Sequence, residues 1–427
     1  MMQSINCLYL LIGTNPLSNY IVADYFINIE KNVKEIHFLY SAEDLENNIQ
    51  SSEPFALNLK SVLKKSSSVE FHLHAISIKD AFSIHHDVYE ILSNLKNQKN
   101  VHLDFSGGTK EMALHSYETF REVFGSNVTF SYFDSRQNCL KKDSGPNEKT
   151  TFVFLQNKIR IGFSDLFRLH GYEIISGEKG GSVFSVQFFK DFLDLIRTRE
   201  KFCEYLRWKE HFIQIYPNPK EIEPAEEQNK LNDLLPPDFE ISEDLKNRLF
   251  LKIYNAAPEY SFFEKSGDEW ILKRKLGNKQ QNKLSETRKY ISGYWFEQYV
   301  YTILKENLFD TGFISSIDLN LLIQTAEKNF EIDVALIKGY EFCGISCTTD
   351  TTQSLCKSKG FEILHRTKQI AGENSKAILM TFMNEKNTKE VDEDLSDVLE
   401  DRILVLGLKD LFPTEMFCEK VKEFLEI

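Results

Sequence analysis

Residues 330–366 place an acid, a turn, a second polar strand and a basic helix in the order of a metal site. The run reads Phe330-Glu331-Ile332-Asp333-Val334-Ala335-Leu336-Ile337, then the turn Lys338-Gly339, then Phe342-Cys343-Gly344-Ile345-Ser346-Cys347-Thr348-Thr349. Lys357, Lys359, Glu362 and Arg366 follow on a basic helix, the last three at i, i+3, i+7 and so on one face. A carboxylate opening an apolar strand is costly to bury unless it meets a cation. Hairpin pairing brings Asp333 beside the second strand, and the helix carries lysines back over both. The chemistry this allows is a divalent metal held against a phosphodiester. The plainer reading of Lys359, Glu362 and Arg366 is a solvated ion-pair ladder.

A second candidate site lies near the start of the chain. Gly13-Thr14-Asn15-Pro16-Leu17-Ser18-Asn19 and Ser106-Gly107-Gly108-Thr109-Lys110 each follow a strand-like run and precede a helix. In an open parallel sheet, ligands bind at strand C-terminal ends near the switch in strand order. Adjacent glycines let backbone amides approach an anion, and the following helix N-terminus favours negative charge. Thr109 and Lys110 can donate to phosphate, and Asn15 and Asn19 offer amides for a base edge or ribose. The GxxxxGK[ST] spacing of a nucleotide-hydrolysing loop is missing, so the pattern predicts binding without triphosphate hydrolysis. The alternative is a tight strand-to-helix turn at Gly107-Gly108.

The elements that must hold these loops alternate. Strands are expected at Leu8–Gly13, Glu35–Tyr40, Val69–Ile78, Val101–Phe105 and Val128–Asp134, with helices near Asn19–Asn28, Glu53–Lys65, Ile84–Leu95 and Met112–Val123. Strands separated by helices predict an α/β fold with a parallel, Rossmann-like sheet. Lys141–Asn147 is a polar, breaker-rich hairpin tip or linker. Phe163–His170 and Phe184–Tyr205 read as helices, and Pro217–Pro237 as an acidic, proline-rich loop. A helix over Lys289–Lys305 opens the last part, Glu385–Asp401 reads as a solvated loop plus short helix, and Ile403–Leu406 is a strand before a terminal helix. The expected division is residues 1–145, a connecting or dimer-bracing module over 146–285, and a final α/β domain over 286–427.

At 427 residues the chain is long for one core. Its 42% apolar and 27% charged residues are those of a globular protein, without an apolar run long enough to span a bilayer. A net charge of −13 argues against a general nucleic-acid coat but leaves room for a local basic groove. The N-terminal residues show no basic segment before an apolar core, so no signal peptide is expected. Seven cysteines without a CxxC pair fit reduced thiols and a cytoplasmic location.

The pair GTNP and SGGTK resembles the sensor domains, termed CARF, of ancillary proteins in type III CRISPR systems. Residues 286–427 are similar to the PD-(D/E)xK restriction-endonuclease-like domain fused to such sensors in one group of nucleases. The resemblance implies a homodimer that binds a cyclic oligoadenylate, with cyclic tetra-adenylate the expected ring, through Thr14, Asn15, Asn19, Gly107, Gly108, Thr109 and Lys110. It further implies cleavage of single-stranded DNA or RNA with Mg²⁺ or Mn²⁺ held by Asp333 and Glu297, the latter within Gly293-Tyr294-Trp295-Phe296-Glu297-Gln298-Tyr299-Val300. Where the family places (D/E)xK, this chain has Ile345-Ser346-Cys347. Either the cation comes from Lys359 or Lys357, with Glu362 orienting it and Ser346 positioning water or phosphate, or the site is dead and the protein is a ligand-binding regulator.

Three features carry less. His72 and His74 point to one strand face, but the neighbouring sequence offers no third metal ligand. Cys343, Cys347 and Cys356 read as small buried hydrophobes. Arg207-Trp208-Lys209-Glu210-His211 is one residue short of the RxxxxH of HEPN ribonucleases and reads as a helix surface.

Overall fold

Apolar strands alternating with amphipathic helices build the first sheet. Its members are β1 (Cys7–Ile12), β2 (Glu35–Ser41), β3 (Glu70–Ile76), β4 (Val101–Asp104), β5 (Val128–Asp134), β6 (Cys139–Asp143) and β7 (Thr151–Phe154), in the order β3-β2-β1-β4-β5-β6-β7. β1 to β5 are parallel, and β6 and β7 extend the sheet antiparallel beyond the expected last strand. Every residue of β1 is buried, as a central strand covered on both faces must be. Helices α1 (Leu17–Asp24) and α2 (Glu53–Leu63) pack on one face. Helices α3 (Ala81–Ser93) and α4 (Lys110–Phe124) pack on the other.

In this computed structural model the described residues are 5–65, 68–93, 100–143, 149–175, 198–215, 261, 263–267, 269–272, 278–325, 329–372, 375–399 and 402–426. The expected loop Pro217–Pro237 and residues 184–197 of the expected helix lie outside them. Within the middle region are α5 (Phe163–Leu169), β8 (Glu173–Ile174), α6 (Arg199–Ile215) and a hairpin of β9 (Phe263–Ser266) with β10 (Glu269–Leu272). Lys209 on α6 is buried, its Nζ 3.5 Å from the Ser292 carbonyl, so that stretch is not simply a helix surface.

The second sheet has the order β15-β14-β13-β12-β11-β8. It consists of β11 (Ser316–Gln324), β12 (Asn329–Lys338), β13 (Glu341–Cys347), β14 (Lys376–Met380) and β15 (Ile403–Leu406), with β8 at one edge. Helices α7 (Asn278–Lys289) and α8 (Trp295–Leu304), joined through a π-helical turn at Tyr290–Tyr294, replace the single expected helix. Helix α9 (Gln353–Ala371) connects β13 to β14, α10 (Glu385–Leu399) connects β14 to β15, and α11 (Thr414–Glu426) ends the chain. The α10 segment corrects an expectation of loop and short helix. Buried Val391 and Leu395 fall four residues apart, and Lys386–Glu390 and Lys389–Glu393 pair along the exposed side. Gly344 on β13 is where α9 crosses closely, because a Cβ there would lie 2.6 Å from Thr367 Cγ2.

One apolar core runs continuously from β1, α1 and α2 of the first sheet into β11, β12 and α9 of the second. No described helix is long and apolar enough to cross a membrane.

Candidate functional sites

The strand order reverses between β1 and β4, so the Gly13 and Gly107 loops emerge side by side at the C-terminal ends of adjacent parallel strands. They touch: a Cβ on Gly13 would lie 2.9 Å from the Gly108 amide nitrogen. A Cβ on Gly107 would overlap the Leu11 carbonyl oxygen, and Gly108 has φ +74°. These glycines are therefore required by backbone proximity and by a left-handed turn. Thr109 caps α4, its Oγ1 accepting from the Met112 amide at 3.1 Å. Asp104 is fully buried beneath the loop, accepts from Ser106 N at 3.0 Å and Ser131 Oγ at 2.6 Å, and is raised by burial to about 6.

Thr14, Thr109 and Lys110 are exposed at this edge, and Gly107 and Gly108 are half-buried. Asn19 does not join them. It is 0% exposed, and its Nδ2 donates to the Leu11 carbonyl at 2.9 Å, so it supports the loop from below rather than facing a ligand. Asn15 accepts from Leu17 N at 3.2 Å and lies against Gly372 at the end of α9. A cleft lined by Asn15, Leu17, Phe133, Tyr340, Phe342 and Ala371 opens at this junction, away from Asp333.

The second site is assembled by β12, β13, α8 and α9. The register Val334–Ile345 sets Asp333 beside the Ser346-Cys347 end of β13. Asp333 Oδ2 accepts from Cys347 N at 2.6 Å and Ser346 Oγ at 3.3 Å. Burial raises the Asp333 pKa, against the Cys347 amide, the Lys359 charge and the Ser346 hydroxyl, which hold it down. Glu297 reaches the same place from α8. Burial first, then Asp333 and Glu331, pushes it up to about 8, and Lys359 partly opposes this.

Sequence reasoning passed over Glu331. It lies two residues before Asp333 on one strand, hence on the same face, and its charge is felt by both other acids. That i, i+2 spacing was the available signal.

The helix candidates separate. The Lys359 ammonium acts electrostatically on Asp333, Glu297 and Asp350. Lys357 instead pairs with Asp394 of α10. Glu362 is exposed, and the Arg366 guanidinium lies over the Phe330 ring, 4.6 Å from its centroid. The three residues are thus not an ion-pair ladder. Cys343, Cys347 and Cys356 are buried as expected. Burial, then the charges of Asp333 and Glu297, holds the Cys347 thiol well above its ordinary value, so it stays protonated.

These residues fit a hard divalent ion. The donors are carboxylate oxygens, the kind Mg²⁺ and Mn²⁺ prefer. Glu297 is held protonated to about pH 8 chiefly by burial and secondarily by the charges of Asp333 and Glu331, and a bound dication would offset both. The three carboxylates do not all converge within 4.8 Å of one another, so one ion meets all three only after side-chain rearrangement.

The fold is shared over the whole chain with solved structures. It superposes on protein VC1899 from Vibrio cholerae with a TM-score of 0.64 at 15% identity, covering 99% of both chains. It superposes on Can2 from Sulfobacillus thermosulfidooxidans, solved in complex with cyclic tetra-adenylate, with a TM-score of 0.61 at 15% identity and 98% of both chains. No protein-family model and no curated protein sequence matches. The likeness establishes a common α/β architecture, the class expected from the alternation of strands and helices.

Proposed function

We propose that the chain is a cyclic-oligoadenylate-activated, metal-dependent nuclease of type III CRISPR defence, working as a homodimer. The observation that carries this reading is Lys359: where β13 lacks an acid and a lysine, α9 brings a cation to Asp333 and Glu297. The fold shared with Can2, whose structure holds cyclic tetra-adenylate, supports a ring-shaped anionic ligand at the Gly13 and Gly107 loops.

In the second site Asp333 and Glu297, with Glu331 near, would hold Mg²⁺ or Mn²⁺. Such an ion supplies a water of lowered pKa and neutralises charge on the phosphoryl group. Lys359 would pair with a non-bridging phosphate oxygen as negative charge builds there. Ser346 and the Cys347 amide fix one Asp333 oxygen, leaving the other for the ion. In the first site backbone amides at Gly107 and Gly108, with Thr109 and Lys110, would bind phosphates, and Thr14 would meet a base or ribose. The first sheet, complete only at β7, would be the sensor, so that unit runs past residue 145, and the second sheet, which takes β8 at its edge, would with its helices be the nuclease.

A second reading, a catalytically degenerate regulator, is favoured by the Ile345-Ser346-Cys347 replacement and by the separation of the three carboxylates. Cleavage of labelled single-stranded RNA, single-stranded DNA and supercoiled plasmid, with Mg²⁺ or Mn²⁺ and with or without cyclic tetra-adenylate, separates the two. Cutting that needs ligand and disappears in Asp333→Ala supports the nuclease. Ligand binding without cutting leaves the regulator.

A further inference from the structure

The face of the first sheet that carries α3 and α4 bears a polar cluster that the functions above leave unused. At the N-terminal ends of β1 and β2, opposite the ligand loops, Cys7 pairs with Glu35 and Tyr9 with His37 in parallel register. On the next strand His37 is level with His72, and Leu39 with His74. The rings of Tyr9, His37 and His72 stack in a row, with centroids 4.4 Å and 4.6 Å apart. The β3 histidines thus lie beside a cluster that strands distant in sequence, β1 and β2, bring together.

We propose that Cys7, Glu35 and His37 form a transition-metal site for Zn²⁺, with His74 orienting His37 from behind. The Cys7 sulfur, a Glu35 carboxylate oxygen and a His37 ring nitrogen all lie within 4.8 Å of one another. Zinc bonds of about 2.0–2.3 Å in a tetrahedron set ligands roughly 3.3–3.8 Å apart, within reach of rotamer adjustment.

The surroundings of each donor suit ligation. His37 is 3% exposed, held between the rings of Tyr9 and His72. Its Nε2 faces Glu35 Oε2 at 3.4 Å, and its Nδ1 lies 2.9 Å from His74 Nε2. A metal on Nε2 places the proton on Nδ1, donated to His74, the usual outer-shell arrangement of a ligating histidine. Cys7 is 3% exposed and shares a side-chain hydrogen bond with Tyr9. Binding releases the Cys7 thiol proton to solvent. Glu35, with 38% of its side chain exposed, opens the site to water, which takes the fourth position.

Sulfur, nitrogen and oxygen together select zinc over the hard ions that suit the all-carboxylate site at Asp333. The ion would tie β1 to β2.

The test uses the full chain carrying Asp333→Ala, which weakens ion binding at the second sheet. Reduced protein is titrated with CoCl₂ as a spectroscopic stand-in, and with ZnCl₂ while the thermal midpoint is followed. One equivalent of cobalt with a thiolate-to-cobalt charge-transfer band is expected, along with a zinc-dependent rise in midpoint. Adding Cys7→Ser should abolish both, whereas Cys347→Ser should leave both intact. Glu35→Gln, a near-isosteric change at a side chain 38% exposed, should weaken cobalt binding by at least about tenfold. A band that survives Cys7→Ser, affinity unchanged in Glu35→Gln, or no uptake by the folded chain overturns the site.

Discussion

Asn138 holds Tyr340 across the junction of the two sheets, its Oδ1 accepting from the tyrosine hydroxyl at 3.1 Å. The same amide donates through Nδ2 to Glu341 Oε1 at 2.6 Å. Tyr340 also meets Phe133 edge-on at 5.9 Å. The turn between the two strands that position Asp333 and Ser346 is thereby bolted to the β5–β6 hairpin. Asn138→Ala removes both bonds and leaves the Tyr340 hydroxyl to find water. About 1–3 kcal/mol of stability should be lost. Cyclic tetra-adenylate affinity should hold while ligand-stimulated cleavage falls. Urea unfolding and the ratio of cleavage with and without ligand are the measurements, and an unchanged ratio would disconnect this clasp from activation.

Lys359 and Lys357 should differ sharply. Lys359→Ala removes the cation opposing the charge of Asp333 and Glu297, and a loss of roughly 100-fold or more in cleavage rate is expected. Lys357→Ala breaks a half-exposed pair with Asp394 and should alter the rate by only a few-fold. Equal effects would mean that the wrong helical face has been assigned.

Glu297 predicts a pH dependence with a definite sign. Its folded pKa, about 8, stands above the ordinary 4.5. Between those values the folded chain binds a proton that the unfolded chain has released, so stability falls as pH rises through that window. Without divalent ions, the thermal midpoint should drop from pH 4.5 to 8 less steeply in Glu297→Gln than in the parent chain. Mn²⁺ at the upper end should restore the midpoint of the parent and do little for the variant. Parallel profiles for the two proteins would show that Glu297 ionises normally.

Lys110→Ala should weaken cyclic tetra-adenylate by roughly tenfold, the size of one charge-assisted hydrogen bond, and flatten the salt dependence of binding. Lys110 is exposed, so the thermal midpoint should not move. Asn19→Ala should do the reverse in its direct effect, lowering stability through the lost bond to Leu11. Calorimetric titration beside thermal unfolding distinguishes a ligand contact from a scaffold residue.

The first sheet was legible because its strands are short apolar runs flanked by turn residues and helices. β1, β2, β4 and β5 fall within a residue or two of expectation. β11 escaped notice because its alternation is broken. Asn320 takes φ +53° in the middle of the strand, and only Leu321 and Ile323 are buried. Helix α7 was missed for another reason: it buries only Leu284 and Thr287, too few for an apolar stripe. Asp333 stood out as an acid in an apolar strand. The roles of Asn19, Lys357 and Glu331 depend on which face packs against what, and the metal-ligating potential of His37 depends on register with β1 and β3. Neither is written in local spacing.

Helix α9 joins the two sites as a single span. Asn15 of the Gly13 loop lies against Gly372 at its end, and Lys359 sits thirteen residues back along the same rod, roughly 20 Å away. An α-helix conserves azimuth as well as length, since each residue turns it by about 100°. With Gly372 seated on Asn15, the compass direction of Lys359 is fixed by the count of residues between them. Point substitutions on the outer side of α9 leave that heading untouched, whereas a one-residue insertion or deletion would swing the ammonium off Asp333 while preserving every side chain of both sites. The segment can therefore change length only in whole turns if the two ends are to stay in phase.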